Sequence, residues 1–343
     1  MNFSFKRLGQ AAAVAVSAVA LLGLSTAAHA QGGRGVFTVI VDGSSTVFPI
    51  SEAAASGFQA TTGGRIRVTV GESGTGGGFR KFCRGETHIQ GASRPITASE
   101  MTSCANTGVQ YVEVPIGFDA LSVVVHPSNP LKEITVADLK KAWQPEAQGR
   151  ITNWKQINPS FPDLALTLYG PGTASGTFDY FTEAVVGKAK ASRTDYTPSE
   201  DDNILVQGVA GERGAMGYFG MAYYLENKDK IRALAVNNGK GGVYPSAEAV
   251  KAGQYVPLAR PIFIYVNVAA LKSKPVADFV NHYVSNGAKY TAQVDYVPLP
   301  PNAYQTYLAR VAKREAGTAF GGKQDIGASI EEVMGRKLVK TVQ

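Results

Sequence analysis

Three short clusters of glycine and hydroxyl residues each follow a β-branched run and stand directly before an apolar, helix-like stretch. They are Asp42-Gly43-Ser44-Ser45-Thr46, Gly71-Glu72-Ser73-Gly74-Thr75-Gly76-Gly77-Gly78 and Gly172-Thr173-Ala174-Ser175-Gly176-Thr177. That order restricts the chain to folds in which strands feed helices through tight turns. The β-branched runs lie at residues 36–41, 65–70, 111–114, 120–125, 165–169, 231–236 and 262–268. Helical patterns lie between them, at 49–61, 78–83, 136–143 and 178–186, and together they predict an α/β fold. Ligands in such sheets sit at the carboxyl ends of strands, which is where all three clusters fall. A helix N-terminus offers unpaired N–H groups and the positive end of a dipole, glycine lets the backbone approach, and Ser or Thr adds hydroxyls. One such turn is an N-cap; three in one chain predict an oxyanion site shared between two lobes.

Lys6 and Arg7 precede an apolar run over residues 11–24, and Ala28-His29-Ala30 has the small-x-small form of a secretory cleavage site. This predicts a signal peptide over residues 1–30, cleavage after Ala30 and a periplasmic location. The rest of the 343-residue chain exceeds the usual size of one core and suggests two lobes of roughly 150 residues each. The net charge of +7 includes Lys6 and Arg7, and the remaining basic residues are scattered instead of forming a stripe with aromatics, which argues against nucleic acid. Cys83 and Cys104 are the only cysteines, and an even pair in an exported chain favours a disulfide over a metal site or a nucleophile. No zinc-ligand spacing and no phosphate-binding loop of the Gly-x-x-x-x-Gly-Lys type occurs. Gly71-Glu72-Ser73-Gly74-Thr75 misses the last glycine of a nucleophile elbow, so the chain reads as a binding protein without cofactor or metal.

Five blocks, taken as a set in their order and spacing, resemble those of PstS-type phosphate-binding proteins. They are Asp42-Gly-Ser-Ser-Thr-Val-Phe-Pro-Ile50, Glu72-Ser-Gly-Thr-Gly-Gly-Gly-Phe79, Ala92-Ser-Arg-Pro-Ile96, Ile116-Gly-Phe-Asp-Ala-Leu121 and Gly170-Pro-Gly-Thr-Ala-Ser-Gly-Thr-Phe-Asp-Tyr-Phe181. The resemblance implies a type II periplasmic solute-binding fold: two α/β lobes joined by a two-strand hinge with the ligand in the cleft. Lobe one would comprise residues 31–116 plus 268–343, and lobe two residues 117–267. It also implies inorganic phosphate as ligand, delivery to an ABC importer permease in the inner membrane, and a monomeric shuttle. The ligand set it implies is Ser45, Thr46 and Val47 from the first cluster and Ser73, Gly74 and Thr75 from the second. His88, Ser93, Arg94 and Asp119 follow, then Thr173, Ser175, Gly176 and Thr177 from the third, with Arg94 as the bidentate counter-ion.

Two positions depart from the family pattern. Pro171 stands where many relatives have Arg, leaving Arg94 to supply the charge, and His88 stands where the family usually has Asp. A carboxylate there would accept the proton of bound phosphate and reject sulfate. Neutral His can accept the same bond and imidazolium cannot, so sulfate discrimination would weaken as pH falls through the His88 pKa, unless Asp42 or Glu72 reads the proton instead. Rival readings are a receptor for another oxyanion, a phosphate sensor or adhesin on the same fold, and a secreted phosphate-ester hydrolase. The charged tail over residues 315–343, with a helix predicted around 329–338, extends past the resemblance and has no role in it.

Overall fold

Residues 36–339 are described by a computed structural model; the predicted signal peptide lies outside them. The first strands in chain order are β1 (Phe37–Gly43), β2 (Ile66–Val70), β3 (Ile89–Ala92), β4 (Tyr111–Ala120), β5 (Ser122–Val125) and β6 (Glu133–Thr135). There follow β7 (Thr167–Pro171), β8 (Thr197–Ser199), β9 (Ala215–Phe219), β10 (Arg232–Ala233), β11 (Ala235–Asn237), β12 (Gly242–Val243) and β13 (Ala259–Asn267). They form two five-stranded sheets, β2-β1-β3-β13-β4 and β10-β5-β9-β7-β8, and a three-stranded sheet β12-β11-β6.

In the first sheet β1 runs parallel to β2 and β3, and parallel neighbours require crossover connections. The helices α1 (Phe48–Thr62) and α2 (Thr75–Phe82) supply them, and α3 (Ala98–Asn106) leads from β3 to β4. Helix α1 begins with Pro49 in its first turn, ends at Gly63 in the left-handed region (φ 59°), and buries Ile50, Ala54, Ala55 and Phe58. In the second sheet β7 runs parallel to β8 and β9. It is flanked by α4 (Val136–Trp143), α5 (Trp154–Ile157), α6 (Gly176–Phe181) and α7 (Asp202–Gly211). Helix α6 continues as a π-turn over Thr182–Val186, and the Phe181 ring stacks on Tyr218 of β9 at 3.8 Å.

Strands β4 and β13, antiparallel and buried along their whole lengths, run side by side from the first sheet towards the second. Sequence periodicity predicts β4 only to Val114, because Pro115 lacks an N–H. A bulge at Ile262/Phe263 absorbs the irregularity and lets the strand continue to Ala120. The predicted strand over 231–236 is two strands: β10 pairs with β5, β11 pairs with β6, and Leu234 between them marks the change of sheet. Strands β3 and β9 escape a β-branched search because Gln90-Gly91-Ala92 and Met216-Gly217 carry none of the usual residues. The tail helix is Ile330–Gly335, with Ser329 and Glu332 forming a capping box.

Cys83 at the end of α2 is bonded to Cys104 in α3 across 21 residues of chain. Closing a loop of that size constrains the unfolded chain and stabilises the fold by about 3 kcal/mol. A Cys83→Ser, Cys104→Ser double variant is therefore expected to unfold at lower denaturant, with an m-value equal to or above that of the bonded protein because its unfolded chain is less compact. An unchanged midpoint would mean that the bond contributes nothing.

Candidate functional site

The first cluster follows β1. The N–H groups of Val47 and Phe48 both close on the Ser44 carbonyl, at 3.1 and 3.0 Å, which starts α1 and leaves Thr46 fully buried on the inner side of the turn. The second cluster is organised from outside itself, by Asp42 at the end of β1. One carboxyl oxygen accepts from the Ser73 hydroxyl (2.6 Å), the Ser73 N–H (3.1 Å) and the Gly43 N–H (2.7 Å), and the other takes Lys81. Burial pushes the Asp42 carboxyl up, but Lys81, Ser73 and Gly43 outweigh it and hold the group below the usual carboxylate range. The Ser73 hydroxyl is thus committed to the loop. Gly74 takes φ 72° so that Thr75 can begin α2, and the Thr75 hydroxyl oxygen accepts the Ser93 N–H at 3.1 Å. In the third cluster the Ser175 hydroxyl caps α6 by accepting the Thr177 N–H at 3.0 Å; Gly176 and Thr177 are buried, whereas Thr173 is exposed.

The three turns converge. The hydroxyls of Thr46 and Thr177 lie 3.2 Å apart, as do those of Thr75 and Ser93, and the Gly76 N–H at the start of α2 donates to the Ala174 carbonyl at 2.7 Å. Gly176 fits so closely that a Cβ there would lie 2.4 Å from the Thr75 hydroxyl oxygen and 2.7 Å from that of Ser93. Between the first and third clusters stands Arg260, at the head of β13 and 0 % exposed. Its Nη2 is 3.1 Å from Thr46 Oγ1, 2.8 Å from Thr177 Oγ1 and 2.8 Å from Asp119 Oδ2. Asp119 is its cross-strand partner on β4, and the other oxygen of that carboxylate accepts the Met221 N–H at 2.9 Å. Burial raises the Asp119 carboxyl, and Arg260 offsets part of that rise. Arg260 Nη1 has no hydrogen-bond partner among the described residues. A buried cationic donor left open in this way marks a place for an anion.

Arg94, read from sequence as the counter-ion, is buried beside the same gap, but its charge is already engaged. Nε donates to Asp179 of α6, and Nη1 and Nη2 donate to the two oxygens of Glu100, all at 2.8 Å. Burial draws the guanidinium down, and the two carboxylates more than reverse that. His88 is not brought to the other residues. Its Nδ1 accepts the Ile40 N–H at 2.9 Å and its ring stacks on Phe37, near the end of β1 remote from the clusters; burial lowers its pKa. Val47 contributes an N–H that closes its own turn, and the Ser45 carbonyl accepts from the Tyr223 hydroxyl at 3.1 Å.

An acidic face borders the gap. The backbone of Gly74 abuts Glu200, whose carboxyl oxygen would lie 2.6 Å from a Cβ there, and the Ala174 N–H donates to the same carboxyl at 3.2 Å. Burial, with Asp201 and Glu200 nearby, raises the Glu72 carboxyl to about 7. Asp202 is 1 % exposed, and both its oxygens lack hydrogen-bond partners among the described residues. Burial and Glu72 raise its pKa, while the Arg260 charge opposes the rise. Neither Arg260 nor Asp202 was singled out by sequence reasoning. For Arg260 the available signal was a single charge in the apolar run Pro257-Leu-Ala-Arg-Pro-Ile-Phe-Ile-Tyr-Val266. Among the described residues no group of three His, Cys, Asp or Glu side chains is arranged to hold a metal, and no helix is long and apolar enough to cross a membrane.

Residues 28–287 match the PBP superfamily domain. The protein SphX of Synechococcus elongatus is 52 % identical over 86 % of this chain and 88 % of its own length. The phosphate-binding protein PstS of Staphylococcus saprophyticus is 35 % identical over 84 % of this chain and 89 % of its own. Among solved structures, a possible phosphate binding protein from Planctomyces limnophilus is 44 % identical with a TM-score of 0.59, covering 80 % of this chain and 98 % of that one. With the converging turns and the buried arginine between them, these likenesses place the chain in the PBP superfamily, in the family of the PstS phosphate-binding proteins.

Proposed function

We propose that this protein binds inorganic phosphate in the gap between its two main sheets and, after export to the periplasm, delivers it to an ABC importer in the inner membrane. The observation that carries the reading is Arg260: fully buried, placed between the hydroxyls of Thr46 and Thr177, with Nη1 open. Phosphate leaving water must recover its hydration from fixed donors. In this reading the donors are Arg260 Nη1 and the hydroxyls of Thr46, Thr75, Ser93 and Thr177. Arg94 contributes by tying α6 to the first sheet through Asp179. The two lobes are residues 31–116 with 268–343 and residues 117–267, with β4 and β13 crossing between them, and the protein acts as a monomer. Glu72 and Asp202, not His88, are the carboxyl groups available to accept the hydrogen of phosphate and disfavour sulfate.

Calorimetric titration of the ligand-stripped protein at pH 8 is expected to give one-to-one phosphate binding with sulfate silent, and His88→Ala is expected to leave that selectivity unchanged. Sulfate binding in place of phosphate would change the ligand; binding of neither would overturn the reading. Replacing Arg260→Gln together with Asp119→Asn removes the charge without leaving a lone buried carboxylate, and it should weaken phosphate binding about 100-fold, the scale of a hydrogen bond to a charged group.

Gly176→Ala tests closure. The added methyl must separate Thr75 and Ser93 from α6, while alanine favours the helix itself, so affinity should fall by at least tenfold with thermal stability held. Equal affinity would show that the two sides need not approach this closely.

The acidic face sets a pH dependence of stability. Glu72 titrates near 7 when folded, against 4.5 for the unreacted group, so the folded state holds its proton more tightly. The resulting stabilisation is fully present below about pH 4.5 and is lost as pH rises through about 7. Between pH 5 and 8 the midpoint of thermal unfolding should fall, and Glu72→Gln should flatten part of that slope; an unaltered slope would remove Glu72 as its source.

A further inference from the structure

The tail beyond residue 315 is bonded first to one sheet and then to the elements of the other. On the first sheet, the Gly317 N–H donates to the Tyr111 carbonyl at 3.0 Å, and the Ala319 N–H (2.7 Å) and the Thr318 hydroxyl (2.5 Å) both donate to the buried carboxylate of Glu113 on β4. Phe320 packs edge-on against Phe263 of β13 at 5.3 Å, and the Gly322 carbonyl accepts the Ala98 N–H at 3.2 Å. Five residues later the chain has crossed: the Gly327 N–H donates to the hydroxyl of Tyr180, on α6, at 3.1 Å.

Tyr180 is the point at which this crossing meets the site. Its hydroxyl lies 2.7 Å from the Ala259 carbonyl and 3.0 Å from the Pro257 carbonyl, so it grips the backbone that leads directly into Arg260. The face of its ring looks at the Arg260 guanidinium, with the carbon 5.7 Å from the ring centroid, a cation–π distance. One side chain therefore touches α6, the head of β13, the open guanidinium and the tail, and it is 1 % exposed. The hydroxyl has one proton for the two carbonyls and a lone pair for an N–H, and Gly327 is the group that fills the accepting side.

We infer that Tyr180 is a positioning residue for the anion site, and that residues 317–327 form a strap from the first sheet to α6 which, through Gly327 and Tyr180, holds Arg260 in place. This inference rests on the proposed binding of phosphate beside Arg260. The strap acts when the gap between the sheets opens: α6 and the head of β13 must then move together or break with the tail. Its contribution falls on release of the ligand more than on capture, because encounter takes place before closure and the strap's contacts are complete only after it.

Two variants test this in the full protein. Tyr180→Phe keeps the ring over Arg260 and removes the hydroxyl. A chain ending at Lys323 keeps the tail residues that contact Glu113, Phe263 and Ala98 and removes Gly327 together with the buried Ala328 and Val333 and the Val339 pairing to Thr318. Stopped-flow kinetics with inorganic phosphate should show release about tenfold faster in each variant, with association within twofold of the unaltered protein. Combining the two should give less than the sum of the separate effects, since the bond from Gly327 to Tyr180 is lost in both while Tyr180→Phe alone also releases the Ala259 and Pro257 carbonyls. Release rates within twofold of the unaltered protein, or effects of the two changes that add in full, would overturn the inference while leaving phosphate binding intact. Failure of the unaltered protein to bind phosphate is a separate result and bears on the reading beneath it.

Discussion

The pairing of β4 with β13 is the constraint on which the site depends. These strands are the longest in the molecule, buried throughout, and their register sets Arg260 directly opposite Asp119. A lone guanidinium at that depth would be prohibitively costly, and a lone carboxylate equally so; side by side at 2.8 Å each makes the other tolerable. The pair is also asymmetric. Asp119 is satisfied by Arg260 and the Met221 N–H, whereas Arg260 keeps one nitrogen open towards the converging turns. A one-residue slip of either strand would turn its charged side chain to the opposite face and part the pair, so the hydrophobic pattern that fixes the register also fixes the charge.

The strand-to-helix turns were legible in the sequence because glycine, Ser and Thr at those points answer local needs: a left-handed residue at Gly74, an N-cap at Ser175, a tight entry to α1 after Ser44. Each of those needs is decided within a few residues of chain. What was not legible is decided across it. Arg94 looks like a free counter-ion until α3 supplies Glu100 and α6 supplies Asp179, the latter 85 positions away. Ser73 looks like a ligand donor until Asp42, 31 positions earlier, takes its hydroxyl. His88 stands where the resemblance implies a carboxylate, yet just before β3 its ring turns onto Phe37 and the Ile40 amide. Arg260 was missed for the reverse reason: nothing in its own neighbourhood distinguishes it, and its role comes from Asp119, 141 positions away in the chain.

The charge balance of the gap follows from these pairings. Arg94 is matched by Glu100 and Asp179, and Arg260 by Asp119, so the buried cations are already offset by more carboxylates than there are guanidinium groups. An anion entering this space is not drawn by net positive charge. On the proposed reading it is held by directed donors, four hydroxyls and one open guanidinium nitrogen. Such a site depends on geometry more than on ionic strength, because buried dipoles are screened far less than exposed charges.

That dependence on geometry explains why so much of the surrounding structure is occupied with holding donors in place. Asp42 gives up its acceptors to shape the second turn, Ser175 to shape the third, and Asp119 to aim Arg260. The acidic face adds the opposing influence. Glu72, Glu200 and Asp202 border the gap with carboxyl groups that burial and mutual repulsion keep reluctant to ionise, so bringing the two sides together costs either a proton uptake or a desolvated charge. On the proposed reading, the same carboxyl groups oppose closure without a ligand. In that reading such a group accepts the hydrogen of phosphate only in its ionised form, and in that form it repels an anion that brings no proton.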